Sequence, residues 1–322
     1  AESSAMKFER VAEVIEAELG APPDALFERF DREPFAAASI GQVHAARVDG
    51  REVAVKVQYP GIEDVLASDL SNFSWMARLS TFGLPVDAPA LVEELRSRVL
   101  EECDYALEAR NQLELARLLA EHRGASVPDV VTERSTRRVL TTVRVDRMRF
   151  ADFAARAPQD VKNRAGEVLF RTCFGSLFRH GVFNGDPHPG NYLFSDDGEV
   201  TFLDFGCVRR FDPAFIETWK ALARTVLDGR RADFPDRFRA IGLVGKEKGF
   251  DYDGQWEAMR HLYLPFTQRS PFFTYTDAYV RETYGRLIFD NPNQRRMAMP
   301  PCTRSSRASR TSRACRATSR TS

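Results

Sequence analysis

The sequence predicts an α+β protein with a β-containing N-terminal half, a mainly helical C-terminal half and a disordered arginine-rich tail. Three observations carry this. Residues 35–59 alternate apolar and polar side chains about an Asp49-Gly50 turn, the pattern of a hairpin. Residues 7–19, 88–122, 161–180 and 213–289 space apolar side chains at helical intervals. The last residues, PPCTRSSRASRTSRACRATSRTS, have no apolar periodicity and cannot bury a core.

Taken in order, KFERVAEVIEAEL is an amphipathic helix that Gly20 stops. SIGQVHAARV and REVAVKVQ are the two strands of the hairpin. Residues 62–82 read as helix, and so does one long run from Ala88 to about His122, opened by Pro89 in its first turn. SVPDVV and RRVLTTVRV read as short strands, and Val161–His180 as helix. The turn-rich GVFNGDPHPGN follows, then a second hairpin of YLF, a turn at 195–198 and EVTFLDF. From Pro213 to Phe289 the pattern is helical, with loops near 245–254 and 264–276.

The 46 basic and 46 acidic side chains of the 322 residues sum to zero, but unevenly. Residues 291–322 hold eight arginines and no acid, which leaves 38 basic and 46 acidic groups and a net charge of −8 on residues 1–290. An acidic body argues against a non-specific nucleic-acid binder. The arginine-serine tail could bind nucleic acid or acidic lipid, and composition favours reading it as an end that is not native to the folded protein. Five widely spaced cysteines without a C-x-x-C point to reduced thiols and a cytoplasmic setting. No apolar run reaches the roughly 18 residues that span a bilayer.

Four features carry chemistry. Lys56 lies on a strand opposite in face to Val53, Val55 and Val57, so it guards a sheet edge or meets a negative group. Glu102 continues the stripe of Leu91, Leu95 and Val99, and a carboxylate there needs a cation, for which Lys56 is the candidate. Asp104 lies about 200° further round an ideal helix, so both acids reach one site only if the helix is distorted. In NGDPHPGN, Asp186 and Asn191 stand five apart on a fixed backbone, with His188 between them; Asp can accept a hydroxyl proton and the Asn carbonyl can ligate a hard cation. Asp204 of LDFG is a second hard-cation ligand at a strand end. Each feature alone has an ordinary structural reading. Their order, strand Lys, helical Glu, Asp-x4-Asn loop, hairpin, then Asp-Phe-Gly, is the part list of phosphoryl transfer in a bilobal protein-kinase-like fold. The usual Gly-x-Gly-x-x-Gly loop is replaced by PFAAASIGQVH, whose Ala36, Ala37 and Ala38 disfavour close backbone approach, so nucleotide is held differently.

Together AAASIGQVH, VAVKVQYPG, EECDY, NGDPHPGN and LDFG resemble the UbiB/AarF family of atypical kinases, linked to coenzyme Q and lipid metabolism, over residues 8–290. The resemblance implies an N-lobe at 1–145, a helical C-lobe at 146–290 and a tail at 291–322. It implies that Mg-ATP binds between the lobes, with Ala36, Ala37, Ala38 and Ser39 as the nucleotide loop and Lys56 on the α/β-phosphates. Glu102 would pair with Lys56 as part of a Glu-x-Asp motif with Asp104. Asp186 would be the catalytic-loop acid, and Asn191 and Asp204 would hold Mg²⁺. It also implies a lipid or quinone-precursor ligand and a peripheral position at the inner membrane face. The chain departs from the family in lacking its Lys-x-Gly-Gln element and C-terminal membrane helices. It also has Thr142, Val143 and Arg147 in the hinge, where Met, Glu and often Gly are usual. Three other readings stand beside this one: an aminoglycoside- or choline-type small-molecule kinase, a nucleotide-binding pseudokinase that handles lipid, and a nucleic-acid binder acting through the tail.

Overall fold

The computed structural model describes residues 6–68, 96, 100–267 and 273–298. Of the tail expected at 291–322, residues 299–322 lie outside the described residues, as does most of the helical region expected between 69 and 99, while 291–298 are ordered, with Asn291 and Asn293 buried and Met297 bridged to Val244. The chain divides into two compact units. One holds residues 1–176 and 183–208, the other 177–182 and 209–322. This division by packing does not follow the lobe boundary expected near residue 145.

The first unit begins with α1 (Phe8–Leu19), which Gly20 ends in the left-handed region at φ 81°, its N–H returning to Glu16 O at 2.9 Å. A short α2 (Pro23–Leu26) leads to β1 (Arg29–Phe30), β2 (Ala36–Ala38), β3 (Gly41–Val48) and β4 (Arg51–Gln58). The expected hairpin is β3–β4, closed by Asp49 at φ 51° and Gly50 at φ 70°. Two successive positive φ values make the tight turn whose twist matches the strands. With β6 (Val139–Val143) these strands form a five-stranded sheet ordered β1-β3-β4-β6, and β2 pairs with β3.

Alternation on β4 sets the two faces of this sheet. Val53, Val55 and Val57 are fully buried against Val11, Val14 and Ile15 of α1. At about 1.5–3 kcal/mol for each aliphatic side chain removed from water, this layer is the main support of the sheet. Lys56 points to the other face, with Val43 and Leu140 as its cross-strand neighbours.

Beside this core, Gln42 and His44 are buried polar side chains of β3. The Asp31 carbonyl can only accept, so His44 Nδ1 donates to it at 2.8 Å, and His44 Nε2 accepts from Gln42 Nε2 at 2.9 Å. Gln42 Oε1 in turn accepts from Met6 N at 2.8 Å, which ties the chain before α1 to β3. Burial pushes the His44 imidazole below its ordinary pKa, with Asp31 and Glu33 opposing.

The long helix expected from Ala88 to His122 is interrupted. Residues 100–102 are helical, Cys103 turns, and α3 (Tyr105–Leu119) starts afresh. Asp104 caps it, its side chain accepting from Leu107 N at 3.0 Å.

A second, four-stranded sheet follows the order β5-β10-β9-β7, with β5 (Ala125–Ser126), β7 (Met148–Arg149), β9 (Tyr192–Phe194) and β10 (Val200–Phe202). The antiparallel β9–β10 pair is the expected second hairpin. The helices α4 (Phe150–Arg156) and α5 (Gln159–His180) precede it in sequence. Two short strands, β8 (Val182–Asn184) and β11 (Val208–Arg210), lie where the chain passes between the units.

The second unit is helical, with α6 (Pro213–Leu227), α7 (Phe234–Ala240), α8 (Tyr252–Leu262), α9 (Leu264–Thr267) and α10 (Asp277–Tyr284). Its core gathers Leu222, Val226, Phe234, Phe238, Trp256 and Met259. Among the described residues no helix is long and apolar enough to cross a membrane.

Candidate functional site

The site grows from one face of α3 and one strand residue. Tyr105, Glu108 and Asn111 recur at three-residue spacing, so they project from one side of the helix. Glu108 is buried, and Lys56 Nζ donates to its two oxygens at 2.9 and 3.1 Å. Lys56 Nζ also donates to Asp204 Oδ2 at 3.3 Å and stands 5.0 Å from the centre of the Tyr105 ring. Burial alone would push the Lys56 ammonium down, but Glu108, Asp204 and Tyr105 reverse this, so it is held above its ordinary value and stays charged. Burial pushes the Glu108 carboxyl up and Lys56 opposes it. The fixed cation beside Glu108 and its hydrogen bond to the Phe205 backbone support the ionised form.

This partner differs from the expected one: Glu108, not Glu102, meets Lys56. The reason is the break at Cys103–Asp104. The stripe through Leu91, Leu95 and Val99 cannot be extended past it, because the new helix restarts the angular count. Glu102 lies before the break, where its Oε1 receives Cys207 Sγ at 3.9 Å. Asp104 serves as the helix cap, with its other oxygen 4.0 Å from Arg110 Nη2. No glycine or proline marks the break; the one local sign of the restart is Asp104 as a cap ahead of Tyr105 and Glu108.

The expected Ala-rich loop also has a different form. Ala36, Ala37 and Ala38 are strand β2, paired with Val43, Gln42 and Gly41, and the loop shrinks to a turn at Ser39 and Ile40. A Cβ on Gly41 would lie 2.2 Å from Val57 O, so this position needs glycine for close strand approach.

The Asp186 loop and the Asp-Phe-Gly segment are joined by side chains. Asn191 Nδ2 donates to Asp186 Oδ2 at 2.8 Å, and Leu203 N donates to Asn191 O at 3.0 Å. Asn184 donates to Asp204 O at 2.7 Å and receives Asp186 N at 3.3 Å. Asp204 Oδ1 accepts from Gly206 N at 3.0 Å, and Asn111 Nδ2 donates to Phe205 O at 2.9 Å. His188 Nδ1 accepts from Gly190 N at 3.1 Å, which leaves Nε2 as its outward group. Asn184 and Tyr105 lie at the ends of NGDPHPGN and EECDY but carried no role of their own there, and Asn111 lay in no motif; their roles depend on contacts 20 to 94 residues apart along the chain.

These residues fit Mg²⁺ and a phosphate ligand in donor chemistry. Asp204 keeps a partly exposed carboxylate, at 32% of its side-chain surface. The Asn191 amide nitrogen is committed to Asp186, so its carbonyl oxygen is the end left to ligate. Among the described residues no group of three His, Cys, Asp or Glu side chains is arranged for a metal.

Residues 2–232 match the model of a family described as the ABC1 atypical kinase-like domain. The chain is 32% identical over 254 residues to the mitochondrial atypical kinase coq-8 of Caenorhabditis elegans, a match covering 76% of this chain and 34% of that protein. It is 34% identical over 262 residues to the mitochondrial atypical kinase COQ8B of Rattus norvegicus, covering 80% and 49%. It is 35% identical over 209 residues to the chloroplastic ACTIVITY OF BC1 COMPLEX KINASE 8 of Arabidopsis thaliana, covering 62% and 28%. The chain thus spans about a quarter to a half of the length of these curated relatives. Among solved structures it is similar to the complex of Rv3197 with erythromycin from Mycobacterium tuberculosis, with a TM-score of 0.73 and 29% identity over 87% of this chain and 71% of that one. The fold is accordingly kinase-like and mixed α+β. Since the family model takes in Lys56, α3 and both acidic loops in one continuous match, the chain belongs to the UbiB/AarF family of atypical kinases.

Proposed function

We propose that this protein binds Mg-ATP and transfers or hydrolyses the γ-phosphoryl group. The observation that carries the reading is Lys56 Nζ, held at 2.9 Å by buried Glu108 and at 3.3 Å by Asp204. A lysine kept charged and aimed by two carboxylates is suited to phosphate oxygens, as in kinase-like sites. Asp204 and the Asn191 carbonyl would hold Mg²⁺, which when bound neutralises charge on the phosphates. Asp186, oriented by Asn191, would accept the proton of the attacking hydroxyl or water. Ala36–Ser39 would cover the nucleotide as a short hairpin rather than a glycine loop, and Asp104 acts on this site through the start of α3. Positioning and charge neutralisation supply most of the catalysis in such a site.

The family's link to coenzyme Q and isoprenoid lipids makes a quinone precursor or lipid the favoured acceptor or ligand, with the protein peripheral to a membrane. The test is thermal stabilisation by Mg-ATP, Mg-ADP and each component alone, followed by phosphate release with and without anionic lipid or a quinone analogue. Wild-type protein should gain stability with nucleotide and metal together, and Asp204→Asn should lose that gain. Equal stabilisation of both proteins would remove Asp204 from the site. Choline, aminoglycoside and macrolide arms identify a small-molecule acceptor or ligand. Tight ATP binding with no turnover in any arm identifies a nucleotide-sensing module.

A further inference from the structure

Tyr105 opens α3 three residues before Glu108 and is 1% exposed. Among the described residues its hydroxyl makes no hydrogen bond, and burial pushes the phenol well above its ordinary pKa, so it stays neutral. The hydroxyl lies 3.0 Å from the place a Cβ on Gly41 would take. A buried hydroxyl without a partner is a cost that phenylalanine would avoid. What this residue brings to the site is its ring face, 5.0 Å from Lys56 Nζ.

Among the described residues Lys56 has two ionic partners of unlike character. Glu108 is 5% exposed and supplies both its oxygens, whereas Asp204 is 32% exposed and supplies one. Asp204 is also the group assigned above to the metal. A carboxylate that turns to a divalent ion gives up part of its hold on the lysine. The ring face attracts the ammonium without being titrated or recruited by a metal.

We propose that Tyr105 is a positioning residue that holds the Lys56 ammonium through its ring face while Asp204 exchanges between lysine and metal. The proposal deepens the nucleotide reading and rests on it for its effect on ATP affinity, though not for the Lys56–Tyr105 contact itself.

The experiment has two readouts on the full chain: the Kd for Mg-ATP by calorimetry, and the rate at which an amine acylating reagent labels Lys56 without nucleotide, followed by mass spectrometry. Tyr105→Leu should weaken Mg-ATP by about 2- to 30-fold, the range of a cation–π contact expressed as affinity. It should also speed labelling, because the ammonium is no longer held against the ring and meets the reagent more often. Tyr105→Phe should rescue both. Phenylalanines carrying one to four ring fluorines at this position keep the volume and weaken the ring quadrupole. Kd and labelling rate should then climb with each fluorine, a trend that a merely structural side chain would not produce. This series decides the matter if the leucine variant fails to fold. A flat series, or a folded leucine variant with wild-type affinity and labelling, overturns the proposal. If wild-type protein binds no Mg-ATP, the nucleotide reading fails, and the labelling series still upholds or overturns the contact.

Discussion

At Lys56 the energetics of a buried pair favour keeping both partners. Removing one side of such a pair leaves an uncompensated charge and costs about 3–5 kcal/mol. Glu108→Gln should therefore lower the unfolding free energy obtained from urea titration by about 3 kcal/mol, the bottom of that range because Asp204 still offers the lysine one carboxylate, and should weaken Mg-ATP binding. Glu102→Gln, before the helix break, should cost distinctly less in the same titration; the reverse order would restore Glu102 as the partner. His44 gives the second prediction at this scale. Its folded-state pKa is lowered below the ordinary 6.5, so the unfolded chain binds the extra proton as pH falls through that value. Its contribution to stability therefore declines from pH 7 toward pH 5, by at most about 1.4 kcal/mol per pH unit. Unfolding midpoints at both pH values should separate by less in His44→Gln than in wild type. An equal separation would show that other groups carry the dependence. The proton would also set two donors, His44 and Gln42, against each other, and so loosen the tie to Met6.

At the scale of elements, α3 decides which acid enters the site, and Asp104 decides where α3 begins. Asp104→Ala removes the cap on Leu107 N and should destabilise by about 1 kcal/mol, with Asp104→Asn recovering most of it. If asparagine also rescues nucleotide binding, Asp104 acts through the helix start, whereas selective loss of binding in a stable asparagine variant would give the carboxylate a direct part. This element also marks how far the sequence could be read. The β3–β4 hairpin was legible because alternation and Asp49-Gly50 are local signals that agree. The faces of β4 were legible for the same reason, down to Lys56 standing opposite Val53, Val55 and Val57. The break at Cys103 was not legible, since apolar spacing runs on from Val99 to Ala106 with no glycine or proline to interrupt it. Cys103 stays buried beside Tyr105, Ala109 and Leu140, so the chain turns without surfacing. Strand β2 was hidden by its own composition, as three alanines carry little strand preference and pair here because Gly41–Val43 returns alongside.

For the whole molecule, the zero net charge describes neither the folded body nor the tail. Deleting residues 299–322 removes six arginines and no acid, taking the formal charge from 0 to −6. Nucleic-acid binding measured against salt should vanish with that deletion, and stabilisation by Mg-ATP should persist. Loss of the nucleotide effect would tie the tail to the site. The division into units bears on how the protein is made. Lys56 and Glu108 are 52 residues apart, but Asp204 follows Lys56 by 148, after the chain has left the first unit at 177–182 and come back to it. A ribosome adding about 5–20 residues per second needs roughly 5–20 s to travel from Glu108 to Asp204. For that interval the nascent chain holds Lys56 and Glu108 without Asp204. The segment that would confer metal chemistry is thus the last to be threaded into the first unit, and a half-made chain can assemble the cation clamp before it has anything with which to catalyse.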